Sequence, residues 1–270
     1  MSCYQFKEIH FRKGIFDPSI DATYILHLEG NGRLSNIQKQ LQKIKPTQKV
    51  FLYINKGFKK CKKDLPVQKT NFDIIHSNLQ IMKHAQQSNF KTILILEDDF
   101  IFDRQLGFQE NYNKINEFCN KKYQKEFILN IGTLPLLLYP SFESNFYISP
   151  FSAGAHNMIY SKKVIDRILQ KEKPYNYKDW DVYTNLLHSK YVYYKPLIYQ
   201  SFEQTENQNN WPEFLGFTSL AKSYIRMLQF EKEPHRAFSY HYSIIYYISI
   251  VITLLFLYLL FVVIRKITIR

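Results

Sequence analysis

The chain has only three cysteines, Cys3, Cys61 and Cys119, and eight glycines in 270 residues. The cysteines are odd in number and match no zinc-ligand spacing. They propose no disulfide framework, which fits a reducing compartment. The scarcity of glycine among many Lys, Asn, Ile, Tyr and Phe residues fits an AT-biased genome better than a functional demand. Met1 to Phe16 lacks an apolar core of secretory length and carries Lys7, Glu8, Arg12 and Lys13, so a signal peptide is not expected there. Acids are outnumbered, 23 against 36 Lys and Arg, for a net charge of +13. The Lys59-Lys60-Cys61-Lys62-Lys63 run would suit an anionic membrane surface or a polyanionic ligand, but reads first as a solvated loop. No nucleic-acid recognition motif accompanies the basic charge, so nucleic acid is not the expected partner. There is no internal repeat.

One long charge-free run is present. Ser243 to Ile264 is rich in Ile, Leu, Val, Phe and Tyr and is closed by Arg265, Lys266 and Arg270. At about 1.5 Å per residue it covers roughly 33 Å as a helix, enough to cross a bilayer core. Its place near the C-terminus suggests a single-pass tail anchor with the preceding domain on the cytosolic side. Flanking charge is balanced, with Arg226, Lys232 and Arg236 on one side, and does not fix the orientation.

Ahead of that run, strand and helix patterns alternate. Thr23–Leu28 reads as a strand and breaks at Glu29-Gly30-Asn31-Gly32. Leu34, Ile37, Leu41 and Ile44 fall at helical spacing before Pro46. Val50–Ile54 is a second strand, a helix follows over Asp73 to Ser88, and Thr92–Leu96 is a third strand. This βαβαβ order predicts a parallel, doubly wound sheet with right-handed crossovers. Further on, the patterns predict a helix over Asn113–Lys125 and strands at Phe127–Ile131, Asn145–Ile148 and Ala155–Tyr160. A helix capped by Ser161, a helix over Trp180–Leu187 and a strand at Tyr191–Tyr194 follow. Gln200 to Trp211 is polar and aperiodic and reads as a loop. The expected organisation is an N-terminal extension (1–21), a catalytic domain (22–202), a linker segment (203–242), the spanning helix (243–264) and a basic tail (265–270).

The third strand stops at three consecutive carboxylates, Glu97-Asp98-Asp99. Three acids cannot stay in such surroundings without a compensating cation, and hard divalent ions take oxygen ligands of this kind alongside substrate phosphates. Ligands of open α/β sheets bind at the carboxyl ends of strands. The competing reading is a solvated acidic turn.

Three blocks together resemble the family 25 glycosyltransferases, which include bacterial lipooligosaccharide galactosyltransferases and collagen hydroxylysine galactosyltransferases. They are Tyr24-Ile-Leu-His-Leu-Glu-Gly-Asn-Gly-Arg33, Ser77-Asn78-Leu79 with Ile93–Asp99, and Ala153-Gly154-Ala155-His156-Asn157-Met158-Ile159-Tyr160-Ser161. Asp179-Trp180-Asp181 and Tyr199-Gln200-Ser201 resemble its later positions. His27 stands where the family usually has Asn, and Asn78 where it has His. The resemblance, over residues 22–202, implies a GT-A-like, Rossmann-like α/β fold, a UDP-linked or other nucleotide-sugar donor, and Mn²⁺ or Mg²⁺ at Glu97, Asp98 and Asp99. It implies a hexosyl transfer, with galactose or glucose as first choices, to a glycan, lipid-linked glycan or protein hydroxyl. Asp99 is the first candidate for the metal, and Asp98 for the donor or a metal water.

An inverting transfer needs a base for the acceptor hydroxyl. Asp181 takes that place, with Asp179 as its neighbour and helix N-capping as the alternative for Asp179. Arg33 and His27 are candidates for the donor. For Arg33 the alternative is an ordinary solvent-facing residue. His156 is either a substrate contact or a satisfied half-buried histidine, and Gln200 either a substrate contact or a strand-end polar residue. Two other functions are compatible with the carboxylates: a metal-dependent phosphoesterase or nuclease, and an inactive anchored scaffold on a transferase fold.

Overall fold

In the computed structural model, residues 2–154, 156–171, 173–187, 190–201, 217–230 and 234–268 are described. The strands of the first half are β1 (Tyr4–His10), β2 (Ala22–Leu28), β3 (Lys49–Asn55), β4 (Thr92–Glu97), β5 (Phe100–Phe102) and β6 (Ile128–Asn130). Those of the second half are β7 (Leu134–Pro135), β8 (Tyr139–Pro140), β9 (Phe146–Ile148), β10 (Ser152–Ala153), β11 (Asn157–Ser161), β12 (Lys190–Tyr193) and β13 (Ile198–Gln200). The helices are α1 (Leu34–Lys43), α2 (Thr70–Gln87), α3 (Gln109–Lys122), α4 (Lys162–Lys171), α5 (Trp180–Asn185), α6 (Phe217–Met227) and α7 (Pro234–Thr268).

The protein is a mixed α/β structure on a nine-stranded sheet of order β1-β3-β2-β4-β11-β6-β12-β9-β8. The expected parallel unit is present, since β2 pairs in parallel with both β3 and β4. Its neighbour β11 runs antiparallel to β4 and to β6, so the sheet is mixed rather than purely parallel. Alternation along the strands builds two cores, because successive side chains point to opposite faces. Ile25, Leu52, Leu94 and Leu96 join Ile37 and Leu41 of α1 and Ile115 and Phe118 of α3 on one face. Tyr24, Tyr53, Ile93 and Ile95 meet Ile75 and Met82 of α2 and Val164 and Ile168 of α4 on the other. The polar loop expected over Gln200–Trp211 lies outside the described residues from position 202 onward.

The N-terminal end departs from the expectations in three ways. Part of the segment read as an extension is an edge strand: β1 pairs antiparallel with β3, from Tyr4 opposite Asn55 to His10 opposite Lys49. That pairing carries Cys3 to the loop after β3, where it forms a disulfide with Cys61 across a sequence separation of 58. Only Cys119 is a free, buried thiol. The basic run is also not wholly solvated. Lys63 is buried, with its ammonium on Asn55 and Asp73 and 5.1 Å from the Tyr4 ring centre. Closing a loop of this length by a disulfide is worth about 2–4 kcal/mol. Cys3→Ser is therefore expected to lower unfolding stability by about that amount in a non-reducing denaturant titration, and to leave no further effect of reductant.

The apolar run forms part of α7, and the helix starts nine residues earlier than the run itself, at Pro234 rather than Ser243. One helix, Arg236–Lys266, is long and apolar enough to cross a membrane, and only 6% of its most apolar stretch is buried. Its first turns belong to the domain. Ala237, Phe238 and Tyr242 pack with Leu138, Val192, Tyr199 and Phe230 in a third core.

Candidate active site

The buried β4 run, an interior strand, delivers its acids to its carboxyl end, and the strand ends at Glu97. Asp98 and Asp99 form a turn before β5, which pairs antiparallel with β13 so that Gln200 stands opposite Phe100. The turn splits the two aspartates. The Asp98 carboxylate faces the β2–α1 loop and is surrounded by donors. Its Oδ2 accepts from His27 Nδ1 at 2.9 Å, Leu28 N at 3.1 Å and Asn31 Nδ2 at 2.6 Å, while Arg33 Nη1 donates to Oδ1 at 2.9 Å. Burial alone would raise its pKa, but these bonds and the Arg33 charge hold the carboxyl below its ordinary range.

Asp99 shares Arg33 with Asp98 but otherwise has different partners. Its Oδ2 accepts from Gln200 Nε2 at 2.9 Å and lies 3.6 Å from Arg33 Nη1. Its Oδ1 is buried without a hydrogen-bond partner among the described residues. Burial pushes its pKa up to about 6, with the charge of Asp98 adding to the rise and Gln200 and Arg33 opposing it. Glu97 is raised well above the ordinary carboxyl value, first by burial and then by the charges of Asp99, Asp181 and Asp98. Asp181 therefore belongs to the same cluster. Asp181 Oδ2 accepts from Gly154 N at 2.8 Å, and Gly154 has φ +89°, where a side chain would meet His156 Nδ1 at 2.7 Å.

Asp179 is the N-cap of α5 and accepts from Val182 N at 3.1 Å. Its carboxylate is thus committed to the helix, as the capping alternative required. His156 is buried, and the main-chain groups of Gly132 and Ile198 are the polar neighbours that oppose the effect of burial on its ring. Burial lowers its pKa to about 4, so it is neutral near pH 7. Its main-chain oxygen accepts from Glu97 N at 3.0 Å, which places β11 directly against the acidic turn. Asn78 is buried and donates to Ile74 O within its own helix.

One charged residue near this cluster was not singled out in the sequence. Lys190, 3% exposed, donates to Asn185 Oδ1 at 2.6 Å. Burial lowers its pKa to about 8, against the opposing charge of Asp181. A lysine opening an otherwise apolar strand, Lys190-Tyr-Val-Tyr193, was the available signal.

Among the described residues, no three His, Cys, Asp or Glu side chains converge tightly enough to hold a metal by themselves. The donor set nevertheless fits one class of ion. Mg²⁺-like cations are held by one or two carboxylates together with substrate phosphates rather than by an all-protein cage. The partnerless Asp99 oxygen and the raised Glu97 carboxyl are groups a cation would relieve. Asp98, with its acceptors filled, is not.

The shifts give the acidic cluster a testable pH dependence. A carboxyl near 6 in the folded chain and about 3.9 unfolded contributes stability that is full below about pH 4 and lost as pH rises through 6. Glu97 acts in the same direction. Asp98, depressed on folding, contributes above its ordinary range, and that contribution is lost only in stronger acid. His156, lowered on folding, acts the opposite way between about pH 4 and 6.5, so the effect of the cluster appears as a difference from the wild type. In the metal-free protein, Asp99→Asn is expected to lose stability relative to the wild type at about pH 5 compared with about pH 7.5. Scanning calorimetry in chelator checks this.

No family model matches the chain, and no curated protein matches it. Thirty-one solved chains do. One is a glycosyltransferase involved in the glycosylation of the major capsid of PBCV-1, 11% identical, with a TM-score of 0.39 over 68% of this chain and 94% of that one. Another is a Bacillus anthracis protein named as a glucose-1-phosphate thymidylyltransferase, solved in complex with a sucrose. It is 10% identical, with a TM-score of 0.34 over 73% of this chain and 75% of that one. Similarity at this level transfers no site residue, donor or metal, and it does not single out family 25.

Proposed function

We propose that the chain is a membrane-anchored glycosyltransferase that moves a hexosyl group from a nucleotide-sugar, UDP-linked, to an acceptor hydroxyl in an inverting reaction. The observation that carries this reading is the partnerless, buried Asp99 oxygen at the end of β4, where the charges of Asp99 and Asp181 both raise the Glu97 carboxyl. The order of the resembling blocks along residues 22–202 supports it. A bound Mn²⁺ or Mg²⁺ would offset the charge of the departing nucleotide diphosphate.

The chain's own residues divide the remaining work. Asp99, oriented by Gln200, and Glu97 would hold the cation. Arg33, fixed by Asp98, sits between the two aspartates and presents positive charge to the donor phosphates. Asp98 with His27 and Asn31 sets the shape of the β2–α1 loop that flanks the donor. Asp181, oriented by Gly154 N, is the base that takes the acceptor hydroxyl proton, and Lys190 favours its ionised form. His156, neutral and buried, lines the floor between β11 and the acidic turn.

The Cys3–Cys61 disulfide supports a domain on the oxidising side of the membrane, in place of the cytosolic orientation expected from the sequence. The activity is tested on the full chain in phosphatidylcholine nanodiscs, with UDP-hexoses and Mn²⁺, by release of UDP. Release that needs the divalent ion and the sugar nucleotide together supports the reading. Cleavage of nucleic acid or phosphoesters with no UDP released would move the protein to the phosphoesterase class.

A further inference from the structure

From Phe127 to Ser161 the chain carries a single Asp, Glu, Lys or Arg, Glu143. From Phe127 to Phe142 there is no charged residue. Leu136 is 55% exposed, Phe151 48%, and Phe142 fully so. The adjoining acid, Glu143, is neutralised by Lys121 at 2.7 Å and Lys122 at 3.0 Å.

This segment is also where α7 docks. His241 Nε2 lies 2.7 Å from Pro135 O, the Tyr246 ring is 5.1 Å from Tyr147, and Leu138 N donates to Ser249 Oγ at 3.0 Å. The helix is therefore held to the domain as far along as Ser249. Beyond it, residues 251–264 are mostly exposed and cover only roughly 21 Å at the helical rise. A bilayer's hydrocarbon core is about 30 Å thick. The free part of α7 is thus too short to span alone by roughly 9 Å, and the missing length is the stretch packed on Leu134–Leu138.

We propose that the 134–142 segment, with Phe151, is a membrane-docking surface seated in the lipid at the headgroup–acyl boundary of the bilayer that α7 crosses. This rests on α7 being a spanning helix, which its length and composition permit. The backbone is prepared for such a place. In lipid each polar main-chain group needs an internal partner. Leu136 N and Leu137 N both donate to Phe151 O, at 2.8 and 3.3 Å, and Leu138 N donates to the helix itself. Tyr147, Tyr246 and Tyr247 ring the same level, as interfacial tyrosines do. The surface adjoins the site: β7 pairs with β10, and the next residue, Gly154, holds Asp181. An acceptor carried by a lipid would meet the base from this side.

The test uses the full chain, with its disulfide intact, in phosphatidylcholine vesicles containing nitroxide-labelled phosphatidylcholine. A fluorophore is placed singly through Phe142→Cys, Phe151→Cys, Phe256→Cys or Glu8→Cys, the last on β1 at the opposite edge of the sheet. The expected result is loss of fluorescence at 142 and 151 with shallow labels, loss at 256 with deep labels, and none at 8. Quenching at 256 without quenching at 142 or 151 overturns the docking surface and leaves the spanning helix standing. Absence of quenching at 256 overturns the spanning helix and the proposal with it. Equal quenching at 8 and 142 is nonspecific adhesion and also overturns it.

Discussion

Asp99→Ala is expected to lower UDP release by about 10²–10³-fold, the range found when one preorganised group that meets developing charge is removed. The metal-free protein should not lose stability. Asp99 is buried, carries a carboxyl raised to about 6, and leaves Oδ1 without a partner. Its charge is a cost to the fold that a bound cation would offset. Removing it relieves Glu97 as well, which carries Asp99 as its largest neighbouring charge. Lost turnover with an unchanged or raised melting temperature in chelator is the expected pair of readings. A loss of turnover that tracks a loss of folded protein would contradict the assignment.

The adjacent residue should behave in the opposite way. Asp98→Ala removes the acceptor for His27, Leu28 N, Asn31 and Arg33 together. Breaking a buried charged pair by removing one partner costs about 3–5 kcal/mol, because the other charge stays buried and uncompensated. Arg33, 17% exposed, keeps Asp99 at 3.6 Å as a counter-charge. The loss expected in a urea titration therefore lies below that range, at about 1–3 kcal/mol, the cost of buried donors left without their acceptor. Asp98→Asn should recover part of it, since the amide oxygen still accepts while the charge is lost. Two neighbouring acids of one motif would thus separate into a stability residue and an activity residue.

That division was not legible in the sequence. The run Thr92–Leu96 and its terminal acids were, because a buried strand and a polar stop both leave local signatures. So were α1, α2 and the parallel β2–β3–β4 unit, whose apolar spacings repeat within a few residues. The direction in which each carboxylate points depends on a turn after Glu97, and on β13 arriving from a hundred residues away to pair with β5. The edge strand β1 was missed for a related reason. Tyr4–His10 is polar and half exposed, and only its register with β3 makes it a strand. The disulfide follows from the same pairing, so counting cysteines had no access to it. Lys190 looked like one more lysine in a chain rich in them, and its burial beside Asn185 is a property of the assembled sheet.

The most direct test of the central claim is equilibrium binding of the donor. The full chain in phosphatidylcholine nanodiscs is melted with UDP-hexoses, with and without Mn²⁺, as wild type and as Asp99→Ala. A ligand that binds only the folded state stabilises it by about 2.7 kcal/mol at a hundred-fold excess over Kd. A UDP-hexose is expected to raise the melting temperature only when Mn²⁺ is present, and Asp99→Ala to abolish the rise. A rise of the same size without the ion or in Asp99→Ala, or no rise with any nucleotide-sugar, would contradict the claim.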